Sequence, residues 1–394
     1  MIMKNQSIVC FAAGPWDSMW RNRHQIMSRL GKKNKVLYIE PQIQGIRATI
    51  GLLKRSIRNK KDKNESLKHI ANGLWVYEYP YWVFKSQRFI LRGLGILLRI
   101  FAIIIVLKKL KMKSPILWVV EPRFGDVIKY LEKSLVCYHV VDNYAEAPYY
   151  PETIRKELAK TDKIMLSIAD LVIVTSPFLL KEKSKHHRNV HLVKNAVDYE
   201  RFAALHSSNN FPKDMEHIPK PIIGYVGAVN EKLDYELLDT ITRKRPQWSF
   251  VFIGDYYNPS SPAYYKFVHE HTPNVFLLGR RDVMDVPPYI HGCDVCIMPY
   301  RRDDYVEAID SLKLYEYFAC EKPVVATNIA AVREHSQVVY IAEDANDFMV
   351  KLEKAMQSHT HEQRNLQRAI AMQNTWDKRV EQLSIIIQAT LNKL

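Results

Sequence analysis

The sequence predicts an α/β protein built from two doubly wound parallel sheets. Three observations carry this. The chain opens as strand, turn, helix, strand: SIVCFAA (7–13), a turn at Gly14-Pro15, a helical stretch from about 16 to 30, then KVLYIE (35–40). The same pattern restarts at Pro221 with PIIGYVGAV. At 394 residues the chain is too long for one ordinary domain, so two of roughly 150–200 residues are the natural division.

Composition sets further bounds. With 47% hydrophobic and 25% charged residues the chain is ordinary for a globular protein. Its five cysteines form no regular framework and its start reads as no secretory signal, which points to a reducing cytoplasm. Net charge is +15, unevenly spread. Residues 1–150 hold 26 Lys+Arg against 10 Asp+Glu, and the rest of the chain is near balance. Such a field attracts nucleic acid or an anionic membrane surface.

The first turn lacks G-x-G-x-x-G, which argues against a dinucleotide there. Residues 54–68, KRSIRNKKDKNESLK, read as a solvated basic loop. They contain no aromatic side chain, so nucleic acid is not expected as a partner. Residues 85–113 have an apolar centre interrupted by Arg92 and Arg99 and closed by Lys108, Lys109, Lys111 and Lys113. An arginine at the centre of a spanning helix costs about 2.5–3.5 kcal/mol. An in-plane helix avoids that cost, with apolar residues in the interface and these six cations on anionic head groups. A buried domain helix with a charged end is the alternative, and a true span fits the length less well.

SPILWVV (114–120) and SLVCYHVV (134–141) are the next strands, the second running into Asp142. An acid at the carboxyl end of a parallel strand points into the ligand crevice of an open sheet, though Asp142 could equally cap a turn. A helix over 154–167, a strand over 170–176 and the segment VHLVKNAVD (190–198) complete the first half. Residues 205–221, rich in Ser, Asn, Pro and charge, read as a linker. Strands follow at 248–255, 274–279 and 293–300. Cys293 and Cys296 form a C-x-x-C without a second Cys or His pair. If both lie on a strand they face opposite sides, so buried unreactive thiols are expected.

Residues 310–327, DSLKLYEYFACEKPVVAT, read as a helix running into a buried strand. Asp310 or Ser311 can cap its start. Lys313 then lies in the first turn, where free N–H groups and the helix dipole already favour an anion. Glu316 is on the same face one turn deeper. A cation at a helix mouth above a carboxylate suits a nucleoside diphosphate; an amphipathic helix with two solvated charges has the same spacing.

The segment LKLYEYFACEKPVVAT (312–327) closely resembles the donor-site motif of GT-B glycosyltransferases, which often reads KxxEYxAxGxPVVAT. The likeness extends to PIIGYVGAV, to an NGVD-like element at 195–198 with Ala196 in place of Gly, and to NTWDKRVEQL (374–383). It is that of group 1 enzymes of bacterial cell-surface polysaccharide assembly, teichuronic-acid-type, with looser similarity to xanthan-type glucuronosyltransferases. The resemblance implies a GT-B fold of two Rossmann-like domains facing a cleft: residues 1–205 for the acceptor and membrane, a linker at 206–220, and 221–374 for a nucleotide-sugar donor. A terminal helix at about 375–394 would pack back on the first domain.

The resemblance also implies site roles. Lys313 and the loop before it, Ser311 and Leu312, would hold the donor diphosphate, and Glu316 the ribose. Gly227, Lys232, Arg280, Arg281 and Tyr300 would complete the donor site, while Gly14, Trp16 and Arg23 line the acceptor side. Many retaining relatives carry a second Glu eight residues before the first. Here that position is Ala308, with Glu307 one place off. Asp142 matches an acid that acts as the general base of inverting relatives. No D-x-D is present, so no metal or other cofactor is expected. The expected enzyme is peripheral on the inner face of the cell membrane, taking its sugar to a lipid-linked or glycan acceptor. A retaining transfer without a dedicated base and an epimerase on the same fold remain open.

Overall fold

The computed structural model describes residues 2–42, 66–71, 73–80, 82–84, 89–148, 150–204, 212–256 and 261–394. Most of the 54–68 basic run and the first part of the expected linker lie outside the described residues. The chain divides into two compact units. One comprises residues 1–145, 152–193 and 379–394, the other 146–151 and 194–378.

The first unit holds eight strands: β1 (Ser7–Phe11), β2 (Lys35–Ile39), β3 (Leu67–Ala71), β4 (Leu74–Tyr77), β5 (Ile116–Val119), β6 (Leu135–Val140), β7 (Leu171–Val174) and β8 (Val190–Leu192). Their order is β3-β4-β2-β1-β5-β6-β7-β8. Neighbours pair in parallel except β3 with β4, which are antiparallel. The central strands are buried along their length, as apolar parallel strands covered by helices must be. The β3–β4 pair was not singled out by sequence, because Leu67–Ala71 begins within the basic run and is mostly exposed.

The helix Phe89–Lys109 corrects one expectation. Arg99 is 5% exposed and pairs with Asp126 at 2.7 Å, so it turns inward and is no membrane contact. A buried guanidinium needs such a partner. Ala102, Ile103, Val106 and Leu107 face the core with it. Leu91, Leu94, Leu97, Phe101 and Ile105 form the opposite, exposed face, spaced three and four residues apart. Arg92, Lys108, Lys109, Lys111 and Lys113 are exposed. Among the described residues no helix is long and apolar enough to cross a membrane.

The second unit holds β9 (Ile222–Val226), β10 (Ser249–Ile253), β11 (Val275–Gly279), β12 (Val295–Met298), β13 (Val324–Thr327) and β14 (Val339–Ala342). Their order is β11-β10-β9-β12-β13-β14, all parallel. The strand order reverses between β9 and β12. That crevice, beyond the carboxyl ends of these strands, is where a fold of this kind binds its ligand.

Unit boundaries differ from the sequence expectation. Residues 194–204 join the second unit, where Phe202 is buried in its core. The described part of the expected linker is also packed there, with Met215 and Ile218 buried. Residues 379–394 return to the first unit, where Gln382 Nε2 donates to the Leu192 carbonyl at 3.4 Å.

The C-x-x-C also differs. Cys293 precedes β12 rather than lying on it, and its thiol donates to the Tyr289 carbonyl at 3.2 Å. Both cysteines are buried, and burial first, then Cys293, pushes the Cys296 thiol far above its usual range. The Cys293 sulfur lies on Gly224, where an added Cβ would approach it to 2.1 Å.

Candidate donor site on the second unit

The helix Leu312–Ala319 follows the β9–β12 crevice, and its first turn carries no acidic residue. The Ser311 cap is not made. Ser311 occupies the N-cap position without a side-chain hydrogen bond. The Asp310 carboxylate instead accepts the backbone N–H of Asn195, and Asn195 Nδ2 donates to the Asp310 carbonyl at 2.7 Å. The N-cap side chain therefore satisfies none of the first-turn N–H groups, which favours an incoming anion.

Lys313 projects from this mouth onto a small aromatic seat. Its Nζ lies 5.3 Å from the Tyr225 ring centroid and 5.9 Å from that of Tyr300. Both distances are in the cation–π range. Gly227 makes the arrangement possible. A Cβ there would come within 1.9 Å of Lys313 Cε, and its φ of +145° is in any case strained for other residues. Tyr300 is 2% exposed, and its backbone N–H donates to Thr327 Oγ1 at 3.1 Å. Burial raises the Tyr300 phenol, but Lys313 and then Lys232 outweigh it, and the net shift is downward.

Lys232 reaches the same neighbourhood by another route. Its Nζ lies 5.8 Å from the Tyr305 ring, and its carbonyl accepts the Arg301 N–H at 2.8 Å. An antiparallel bridge between Leu233 and Tyr300 ties this loop to the end of β12. The helix is fixed from below, where the Tyr317 hydroxyl accepts the Val226 N–H at 2.9 Å.

Glu316 lies one turn below Lys313. Burial raises its carboxyl to about 7, against the pull of Lys313 and then Arg201. Arg201 pairs with Asp198 at 3.1 Å, and its Nη1 is buried without a hydrogen-bond partner. Sequence reasoning missed Arg201 and Tyr225. Tyr225 was findable, because it is two residues before Gly227 and so on a fixed face of β9. Arg201 was not, since only folding brings the helix Tyr199–Ala203 against Leu312–Ala319.

The remaining residues divide. Leu312 opens the helix. Arg281 is turned into a structural cluster, with Nε donating to the Tyr289 hydroxyl at 2.6 Å and Nη2 to Asp214. Its guanidinium is therefore committed there, leaving the loop backbone for any ligand. Arg280 stays half-exposed, 3.9 Å from Asp255. Glu307 is paired with Arg333, and Ala308 is fully buried.

In the first unit, Asp142 follows the carboxyl end of β6. Trp16 is buried, and its backbone N–H donates to Glu40 Oε1 at 2.7 Å. Gly14 packs under Arg23, whose Nη2 lies 2.7 Å from an ideal Cβ at that position.

Residues 220–358 match the family described as glycosyl transferases, group 1. The chain carries a group 1 glycosyltransferase domain. It is also 27% identical over 278 residues to TuaH of Bacillus subtilis, named as a candidate glycosyltransferase of teichuronic acid biosynthesis. That match covers 66% of this chain and 68% of TuaH. Among solved structures, sucrose-phosphate synthase of Thermosynechococcus elongatus superposes with a TM-score of 0.71 at 15% identity, covering 99% of this chain and 100% of that one. HepE of Anabaena, solved with UDP-glucose, gives 0.67 at 14% identity, covering 98% and 100%. The glycosyltransferase thus has the GT-B fold.

Two outcomes follow for the transferase. Gly227→Ala should keep the sheet but displace Lys313, and calorimetry with UDP and GDP should show lost nucleotide binding. For Glu316, the carboxyl is raised in the folded state, from 4.5 to about 7. Its stabilising contribution is complete below about pH 4.5 and is lost as pH rises through about 7, on the order of a few kcal/mol. Glu316→Gln should therefore raise Tm at pH 8 and leave it nearly unchanged at pH 4, measured by scanning calorimetry.

Proposed function

We propose that this glycosyltransferase moves a sugar from a UDP- or GDP-sugar to a lipid-linked or glycan acceptor in cell-surface polysaccharide synthesis. The observation that carries this reading is Lys313. An ammonium seated on two tyrosines, at an uncapped helix mouth beside the strand-order reversal, has the placement a departing nucleoside diphosphate requires. Lys232 adds a second positive charge from the β9 loop, and Glu316 takes the ribose hydroxyls. The teichuronic acid biosynthesis named for TuaH supports the polysaccharide assignment.

The transfer is metal-independent and inverting in this reading. Lys313, Lys232 and the helix dipole neutralise the leaving diphosphate. Asp142 takes the proton of the acceptor hydroxyl as it attacks the anomeric carbon. Engagement of Glu307 by Arg333 supports the inverting route, since that carboxylate is committed elsewhere. Asp142→Asn should still bind UDP or GDP and lose transfer by about 10²–10⁴-fold, the range of general-base catalysis. Lys313→Ala should weaken nucleotide binding by about tenfold or more, the scale of one charge-assisted hydrogen bond. Unchanged transfer in the first, or unchanged binding in the second, would remove the corresponding assignment.

The transferase works at the inner membrane surface. Support comes from the exposed face Leu91, Leu94, Leu97, Phe101 and Ile105, next to Lys108, Lys109, Lys111 and Lys113. Apolar side chains dip below the head groups while the lysines meet anionic lipid. Flotation with vesicles containing phosphatidylglycerol should carry the protein upward, and Leu97→Glu with Phe101→Glu should leave it at the bottom. A soluble dimer that these same substitutions dissociate, with no flotation of the parent, would assign the face to a second copy instead.

A further inference from the structure

We propose that Arg23 holds a phosphate group of the acceptor. The inference rests on the reading that the first unit takes the acceptor, and it names the chemistry that unit recognises. Arg23 is 6% exposed. Its Nε donates to the Tyr38 hydroxyl at 2.8 Å, and Nη2 to Ser18 Oγ at 3.1 Å. Both partners are neutral. Among the described residues these two hydroxyls are its side-chain partners and no carboxylate pairs with it. A buried guanidinium without a counter-ion is an expensive arrangement, and an arriving oxyanion removes the cost.

The position fits a ligand. Gly14 follows β1 at the carboxyl edge of the sheet, where β1 lies between β2 and β5 and the strand order reverses. The Tyr38 hydroxyl, which accepts from Arg23, donates on to the Gly14 carbonyl at 2.7 Å and fixes the turn. Arg23 is the second residue of the helix Asn22–Gly31, whose first turn contains no acid. The helix dipole therefore adds to the guanidinium charge.

The local chemistry is unusually polar for an interior. Asn22, Arg23, His24 and Gln25 are all buried. His24 contributes no charge, because burial and then Arg23 lower it to about 3. The nearby acid Glu40 is engaged by the Trp16 N–H. Arginine's planar fork matches the tetrahedral face of a phosphate.

Trp16 and Trp20 report on the site, with ring centroids 5.1 and 5.7 Å from His24. The test is a titration of inorganic pyrophosphate, followed by tryptophan fluorescence, with saturating UDP occupying the other unit. Wild type should respond saturably, Arg23→Gln should bind at least tenfold more weakly, and Arg23→Lys should fall between. Ser18→Asp places a carboxylate beside Nη2. It should abolish the response and raise Tm by about 2–4 °C, the shift expected of a satisfied charge in a domain of this size.

Equal pyrophosphate affinity in wild type and Arg23→Gln would overturn the proposal. So would a destabilised Ser18→Asp that still responds, or a response to glucuronate but not pyrophosphate. UDP calorimetry on the same variants keeps the two readings apart. Failure of wild type to bind UDP counts against the donor site, whereas unaltered UDP affinity with lost pyrophosphate response counts for Arg23.

Discussion

The second unit is arranged around the seating of one ammonium group. Lys313 lies across Gly227 onto Tyr225 and Tyr300, and each neighbour is constrained by that fact. Residue 227 must be glycine. Tyr300 must be held at the end of β12, which Thr327 and the Leu233 bridge achieve. The helix must stay in register with β9, which the Tyr317–Val226 hydrogen bond enforces. Gly254 extends the same crowding, since a Cβ there would approach the Gly227 carbonyl oxygen to 2.0 Å. Two strand ends, one helix mouth and two glycines are thus one packing solution, and a positive charge remains aimed outward from it.

Much of this was legible in the sequence. The apolar strand runs, the restart at Pro221 and the 312–327 motif are local signals, and parallel buried strands announce themselves by composition. Lys313 and Glu316 were readable because i, i+3 spacing fixes a shared helical face. What was not readable depends on long-range packing. The capping assignment failed because Asp310 is claimed by Asn195, a residue 115 positions away. Arg281 looked available until Asp214 and Tyr289 took its guanidinium. Cys293 sat on an assumed strand that begins two residues later.

The charge pattern shows the same limit. The basic excess of the first half was countable, but not which cations face outward. Arg99 and Arg92 look equivalent in the string. One is buried against Asp126 and the other is exposed. Arg23 carries the same ambiguity: the resemblance put it on the acceptor side, but not its burial among neutral oxygens.

The Arg99–Asp126 pair acts as a key that sets the rotation of its helix. With that key engaged, the row from Leu91 to Ile105 is turned away from the core and out to the solvent. In lipid-free buffer this leaves a standing greasy ridge, which drives proteins to clump. Left uncovered, that ridge should make the purified protein prone to self-association.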